Sequence, residues 1–250
     1  MKISKIEGAK YSKQIILKDV GIIGQKKILS SKVLVVGVGG LGCPLLLYLS
    51  NLGIKNLGIA DYDKIELSNL NRQVLFNYGD IGKFKSIQAK KILKKINSKA
   101  KIFVYKKKIN KKNIHLIAKK FDIICDCSDN FNTRYIINDY CLKNKKILIS
   151  AAINKYEGQI FNFNFKKKVP CFRCFMPEVP EQDNNCDTDG LMPTVAGLAG
   201  IIQANEVVKS ILNHKNTLVG KMIIFNTLNL NFRITKLSKS LDCVSECKKR

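Results

Sequence analysis

The stretch Lys32-Val33-Leu34-Val35-Val36-Gly37-Val38-Gly39-Gly40-Leu41-Gly42 sets the reading of the whole chain. Its first half is a short apolar run that predicts a fully buried strand over Lys32 to Gly37. Its second half, Gly37 to Gly42, is glycine-rich and leads straight into an apolar helical segment. Glycines between a strand and a helix let the backbone turn sharply and approach a phosphate, which meets free N–H groups and the positive end of the helix dipole. Nineteen residues after Gly42 comes Asp61, at the end of a second predicted strand, with Asp63 beyond it. A carboxylate there accepts hydrogen bonds from a ribose. Strand, glycine loop, helix and acid in this order point to a bound nucleotide rather than to a tight turn that binds nothing.

Working outward, four more strands are predicted over Asn56 to Ala60, Ala100 to Tyr105, Phe121 to Cys125 and Lys146 to Ile149. Between them run helical patterns. The clearest is Phe84 to Asn97, where Ala89, Ile92, Leu93 and Ile96 share one face. This alternation predicts an α/β fold with a Rossmann-like, mostly parallel sheet and helices on both faces. After Ser150 the texture changes. Gly158 to Phe165 alternates with period two, as in a half-buried strand that pairs antiparallel. Lys166 to Asp189 shows no periodicity and holds three prolines and three cysteines, which marks a loop with a job. Pro193 to Leu212 reads as a helix with Gly197 and Gly200 on a close-packed side, and Met222 to Phe225 and Leu230 to Thr235 as closing strands. One domain over 1–250 is expected, with a helical arm at about 1–30, a cysteine-bearing loop at about 166–190 and a tail at about 237–250.

The 250 residues carry 44 Lys plus Arg against 19 Asp plus Glu, for a formal charge of +25. That balance invites a nucleic-acid partner. Only five of the basic residues are Arg, however, and the lysines are spread along the chain, on polar helix faces such as Lys90, Lys91, Lys94 and Lys95. A solvated surface is the expectation, with no nucleic acid as partner. Nine cysteines and a start without an apolar leader argue against a secreted disulfide framework. The most membrane-like stretch, Val33 to Leu49, is interrupted by four glycines and Pro44, so no membrane association is expected and the compartment is the cytoplasm.

A glycine loop of this kind most often serves NAD or FAD, but the residues after the acid point elsewhere. Asp61 to Gln73 is a dense polar cluster, and Lys85 follows at a helix start. Arg72 and Lys85 place two cations beside the phosphates, as a leaving pyrophosphate requires. The next strand ends in Asp126-Cys127-Ser128-Asp129-Asn130, at the sheet edge where ligands bind. Asp129 there is suited to hold Mg²⁺ against a triphosphate, its alternative role being a helix N-cap. The two histidines, His115 and His214, stand in no site-like context.

Taken in order, Tyr11-Ser12-Lys13-Gln14, the Gly37 to Gly42 loop, Leu67 to Gln73, Asp126 to Asn130, Glu157-Gly158-Gln159 and Cys171-Phe172-Arg173-Cys174 resemble the HesA/MoeB/ThiF adenylyltransferases, the bacterial branch of the ubiquitin-activating superfamily. The resemblance runs nearly end to end. It implies binding of ATP and Mg²⁺, adenylation of the C-terminal Gly-Gly carboxylate of a ubiquitin-like sulfur carrier, and a homodimer with one ATP site per protomer. It assigns Gly37, Gly39, Gly40 and Gly42 to the phosphates, Asp61 with Asp63 to the ribose end, Asn69, Arg72 and Lys85 to the phosphate chain, and Asp129 to Mg²⁺. Where the family has an Arg thought to reach the neighbouring protomer's phosphates, this chain has Lys13, which keeps the charge but loses the planar fork. Two carriers fit the resemblance, the molybdopterin-synthase small subunit and the thiamine sulfur carrier. With the chain ending three residues after Cys247, the sulfur donor is expected to be a separate sulfurtransferase or desulfurase.

Cys171 and Cys174, together with Cys243 and Cys247, read as four thiolates for a structural Zn²⁺, and the family carries such a site here. The second pair has a three-residue spacer, within the range zinc sites use. A redox pair and a degenerate, metal-free tail are the alternatives. Cys186 stands where some family members carry a thioester or persulfide cysteine, yet Asp187 and Asp189 flank it, the opposite of a setting that activates a thiol. Cys43, Cys125, Cys127 and Cys141 fall on apolar segments and are expected in the core. Two rival readings stay open: a nucleotide-binding thiol switch on the same fold, and a scaffold that binds the carrier without chemistry.

Overall fold

The computed structural model describes residues 3–178, 190–240 and 243. Its elements in chain order are helices α1 (Lys5–Lys10), α2 (Ser12–Ile15) and α3 (Gly21–Ser30), strand β1 (Lys32–Val36), α4 (Gly42–Leu52), β2 (Asn56–Ala60), α5 (Lys85–Ile96), β3 (Lys101–Tyr105), α6 (Ile114–Ala118), β4 (Ile123–Asp126) and α7 (Phe131–Lys143). They continue with β5 (Ile147–Asn154), β6 (Glu157–Asn164), α8 (Phe172–Phe175), α9 (Pro193–Leu212), β7 (Lys221–Asn226) and β8 (Asn231–Lys236). The strands form a single sheet in the order β3-β2-β1-β4-β5-β6-β7-β8. The first five are parallel, and the last three join antiparallel.

The chain steps from β1 outward to β2 and β3, then returns to place β4 on the other side of β1. That reversal opens a crevice beyond the carboxyl ends of β1 and β4, where open α/β sheets bind ligands. Each face of the sheet has its own core. One joins Val33, Val35, Leu57, Ile59, Cys125 and Ile149 to the apolar sides of α4, α5 and α9. The other joins Leu34, Ile124, Leu148, Phe161 and Phe163 to α6, α7 and α8. Four of the five lysines of α5 stay outside: Lys90, Lys91, Lys94 and Lys95 are all exposed, while Lys85, Ala89 and Leu93 are buried.

Three expectations are corrected. The β6 segment is not half-buried, since Ile160, Phe161, Asn162 and Phe163 are all fully enclosed. It lies inside the sheet with α9 on one face and an aromatic cluster on the other. Asn162 is tolerated there because its amide donates to Glu206 Oε2 and Ser210 Oγ, both at 2.9 Å. Of the two α9 glycines, only Gly200 is close-packed: a Cβ there would stand 2.5 Å from the Leu41 carbonyl oxygen, whereas at Gly197 it would meet nothing within 4 Å. Finally, the one described helix long and apolar enough to cross a membrane is α9, not a segment within Val33 to Leu49. Half of its apolar window is buried within the fold, against α4, β5 and β6.

The arm docks through its own polar contacts. Ser4 caps α1 by accepting the Glu7 N–H, and Glu7 forms a 2.6 Å ion pair with Lys55. The Tyr11 ring is buried and lies against the α4 terminus at Gly53. Lys13 and the apolar Ile16, Leu17, Ile22 and Ile23 remain exposed.

Candidate nucleotide-binding site

The loop between β1 and α4 is shaped by contacts that only glycine permits. Gly37 has φ +92°, and a Cβ there would stand 2.6 Å from the Cys127 carbonyl oxygen at the end of β4. A Cβ at Gly42 would overlap the Gly37 carbonyl itself. Beyond this knot, the N–H groups of Gly39, Gly40, Leu41 and Gly42 find no acceptor among the described residues, and the space beside Gly39 is open. Unsatisfied N–H groups at the start of an 11-residue helix form a cradle for an anion. The residues present therefore fit a polyphosphate.

Arg72 lies on this cradle, with its Cγ 3.4 Å and Cδ 3.5 Å from where a Gly40 Cβ would be. Its guanidinium bonds locally to the Ser68 carbonyl at 2.8 Å and to Asn71 Oδ1 at 3.1 Å. Asn69 is buried one turn earlier, its Oδ1 accepting the Glu66 N–H. Asp61, directly after β2, accepts the Val38 N–H on one oxygen at 2.7 Å and the Asp63 N–H on the other at 2.8 Å. Burial pushes its carboxyl above the usual range, partly offset by those two N–H donors. Lys85, the first residue of α5, reaches back to Asp63 Oδ2 at 3.3 Å. Glycine loop, Arg72, Asp61, Asp63 and Lys85 thus form one connected set.

The β4 edge separates the two acids of its motif. Asp126 is fully buried and spent: it accepts from the Ser128 N–H and hydroxyl and from the Ser150 hydroxyl. Asp129 is exposed. It is not the N-cap of α7. Asn130 is, accepting the Thr133 N–H at 2.9 Å, which leaves Asp129 with a single bond among the described residues, from Asn130 Nδ2 at 3.1 Å. An outward carboxylate at the crevice fits a hydrated divalent cation.

The cysteine cluster stands apart from the crevice, behind α7. Cys171, Cys174 and Cys243 bring their sulfurs within 4.8 Å of one another, with Cys171 3.9 Å from Cys174 and 3.7 Å from Cys243. Tetrahedral Zn²⁺ with bonds of about 2.3 Å sets sulfurs about 3.8 Å apart, so the donor set fits that metal. Burial raises both the Cys174 and Cys243 thiols. At Cys174 the N–H of Cys171 and further donors reverse the balance and favour the thiolate, while Cys243, facing the other two sulfurs, stays raised. Arg173 forks onto Asp139 with two 2.8 Å bonds, and Phe172 N–H donates to Asn138, tying the cluster to α7. Cys247 and Cys186 lie outside the described residues. Cys43, Cys125, Cys127 and Cys141 are core residues, and burial raises the thiol of Cys43 to about 12 and also pushes up those of the other three.

Sequence reasoning missed the polar layer under the site. Gln203 of α9 donates to the Asp126 and Ile149 carbonyls at 3.1 and 3.2 Å and accepts from Cys127, pinning the end of β4 beside β5. Arg134 of α7 links Ser128, just past β4, to Ala151 within β5. Arg134 stands among Asn and Thr residues and Gln203 follows Ile201 and Ile202, and neither setting marks a role under the site.

The sequence matches the ThiF family over residues 11–245. It is 39% identical to the adenylyltransferase and sulfurtransferase MOCS3 of Culex quinquefasciatus over 98% of this chain and 56% of that protein. To the Xenopus laevis protein of the same name it is 40% identical, over 94% of this chain and 53% of the relative. The chain thus spans little more than half the length of these relatives. Among solved structures, E. coli MccB with ATP superposes with TM-score 0.82 at 25% identity, covering 94% of this chain and 74% of that one. PaaA superposes with TM-score 0.81 at 22% identity, over 96% of this chain and 76% of the other, a likeness of fold alone.

Proposed function

Because this chain belongs to the ThiF family, we propose that it is an ATP-dependent adenylyltransferase acting on the C-terminal Gly-Gly carboxylate of a ubiquitin-like sulfur carrier. The observation that carries the reading is the open N–H cradle at Gly39 to Gly42 with Arg72 laid across it, at the crevice of the sheet. Similarity to the MOCS3 proteins favours the molybdopterin-synthase small subunit over the thiamine carrier.

In this reading the cradle holds the triphosphate, and Asp61 sits at the ribose end. Arg72, Asn69 and Lys85 face the phosphate chain, with Lys85 exchanging Asp63 for a phosphate oxygen. Mg²⁺, when bound at Asp129, supplies neutralisation of the triphosphate charge. The carrier carboxylate attacks the α-phosphorus in line. A carboxylate–phosphorus bond forms as the bond to the β-phosphate oxygen breaks, giving acyl-adenylate and pyrophosphate. The carboxylate is already ionised at neutral pH, so positioning and electrostatics suffice and no general base is needed. Cys171, Cys174, Cys243 and Cys247 hold Zn²⁺ as a structural clip. Exposed Ile16, Leu17, Ile22 and Ile23 support a homodimer in which Lys13 serves the partner's site.

ATP–pyrophosphate exchange with each carrier tests the reading. Exchange that requires an intact Gly-Gly terminus and is lost in Arg72→Ala supports it. Absence of exchange with both carriers, in an assay where a working family member exchanges, sinks the enzymatic reading and favours the scaffold. Lys13→Arg is then the next variant.

A further inference from the structure

Arg134 is 5% exposed, yet it carries a full charge into the floor of the β4 edge. Its Nη2 donates to the Ser128 carbonyl at 3.2 Å and to the Ala151 carbonyl at 2.9 Å, and its Nε lies 3.3 Å from Asp126 Oδ2. Asp126 in turn holds the Ser128 N–H at 3.0 Å and the Ser150 hydroxyl at 2.7 Å. One buried ion pair therefore grips Ser128 by both of its peptide groups. Asn130, one residue past Asp129, is held by the α7 cap. Asp129 is the only residue of the 128–130 segment whose side chain is exposed, and it projects from between two clamped neighbours.

A buried charge pair is poor value as a source of stability alone, since the cost of removing both ions from water offsets most of their attraction. Its geometry is what stands out: a planar fork that bridges a carbonyl just past β4 and a carbonyl within β5 while pairing with a carboxylate, which a lysine ammonium does not reproduce. We infer that Arg134 is a positioning residue that fixes the direction of the Asp129 carboxylate, and through it the divalent-cation requirement for ATP. The inference rests on the proposed role of Asp129. It adds a residue that touches neither nucleotide nor metal.

The test is the dissociation constant for ATP, measured calorimetrically with excess Mg²⁺ and again in EDTA, for wild type, Arg134→Lys, Asp129→Asn and the double variant. Residues that orient metal ligands typically change metal affinity about tenfold or more, so Arg134→Lys is expected to weaken Mg²⁺-dependent ATP binding about tenfold and to leave binding in EDTA within about twofold. Combined with Asp129→Asn it is expected to add nothing. Equal losses with and without Mg²⁺, additivity with Asp129→Asn, or wild-type behaviour of Arg134→Lys would each overturn the inference. If wild type binds ATP indifferently to Mg²⁺, the role of Asp129 itself fails and the inference falls with it. Should Arg134→Lys not fold, the paired swap Asp126→Asn with Arg134→Gln removes both buried charges together. The same Mg²⁺-specific loss is expected of it, and its absence counts against the inference.

Discussion

Asp61 and Val38 are joined by a 2.7 Å hydrogen bond that ties the end of β2 to the glycine loop after β1. The acid thus builds the loop, beside the ribose contact proposed for it. Asp61→Asn keeps the size but leaves one of two N–H donors facing an amide NH₂. A buried donor left unpaired costs about 1–3 kcal/mol, and the variant is expected to lose that much in urea melts together with most of its ATP affinity. Wild-type stability in this variant would contradict the double role.

Lys85 and Asp63 make a pair that must part. With the ammonium 3.3 Å from Asp63, a phosphate competes with the carboxylate for the same cation. Lys85→Met is expected to lower pyrophosphate exchange at least about a hundredfold, on the scale of losing an electrostatic donor to transferring phosphate. Asp63→Asn, by releasing the lysine, is expected to leave exchange intact or raise it slightly, and a collapse comparable to Lys85→Met would assign Asp63 a direct role.

The cysteine cluster predicts a stoichiometric metal. Elemental analysis of purified protein is expected to find one zinc per chain, lost in Cys171→Ser and Cys243→Ser. Because the cluster clips residue 243 to a loop 72 residues earlier, chelation is expected to lower the melting temperature and increase proteolysis of the tail. A wild-type chain that carries no metal and keeps its melting curve in chelator would exclude a structural metal at these cysteines.

The arm carries its own pH dependence. Lys55 and the Ser4 N–H lower the Glu7 carboxyl from 4.5 to about 2. A depressed folded value means that the contribution is full above the unfolded value and decays as pH falls from 4.5 toward 2. Glu7→Gln is therefore expected to cost about 1 kcal/mol at neutral pH and little at the acid end. Chemical melts at the two pH extremes measure this, and an equal deficit at both would exclude the ion pair as the cause.

Much of the fold was legible because its signals are local. An apolar run, a glycine cluster and a 3.6-residue period each reside within a few neighbours, and seven of the eight strands and the α9 helix emerge close to their expected bounds, whereas β5 runs on to Asn154, five residues past its expected end, because it pairs along its length with β6. The candidate site was legible for a related reason: Gly37 to Gly42 and Asp61 directly follow β1 and β2, and Arg72 and Lys85 fall in the polar stretch that leads from Asp61 into α5. The half-buried reading of β6 failed because alternating Asn and Phe look the same whether the asparagine meets water or Glu206, which lies 44 residues on.

The amino-acid sequence by itself determined the α/β class and the family, and marked the glycine loop and its acid as the candidate site, since those follow from residue type and spacing along the chain. Only the tertiary structure decided which of two acids in Asp126-Cys127-Ser128-Asp129 faces solvent, that Asn130 rather than Asp129 caps α7, and that three sulfurs meet behind it. These outcomes depend on buried partners such as Arg134, Ser150 and Gln203, contributed by other elements. A carboxylate's fate is set by the charges and donors that packing brings to it, and spacing along the chain does not record them.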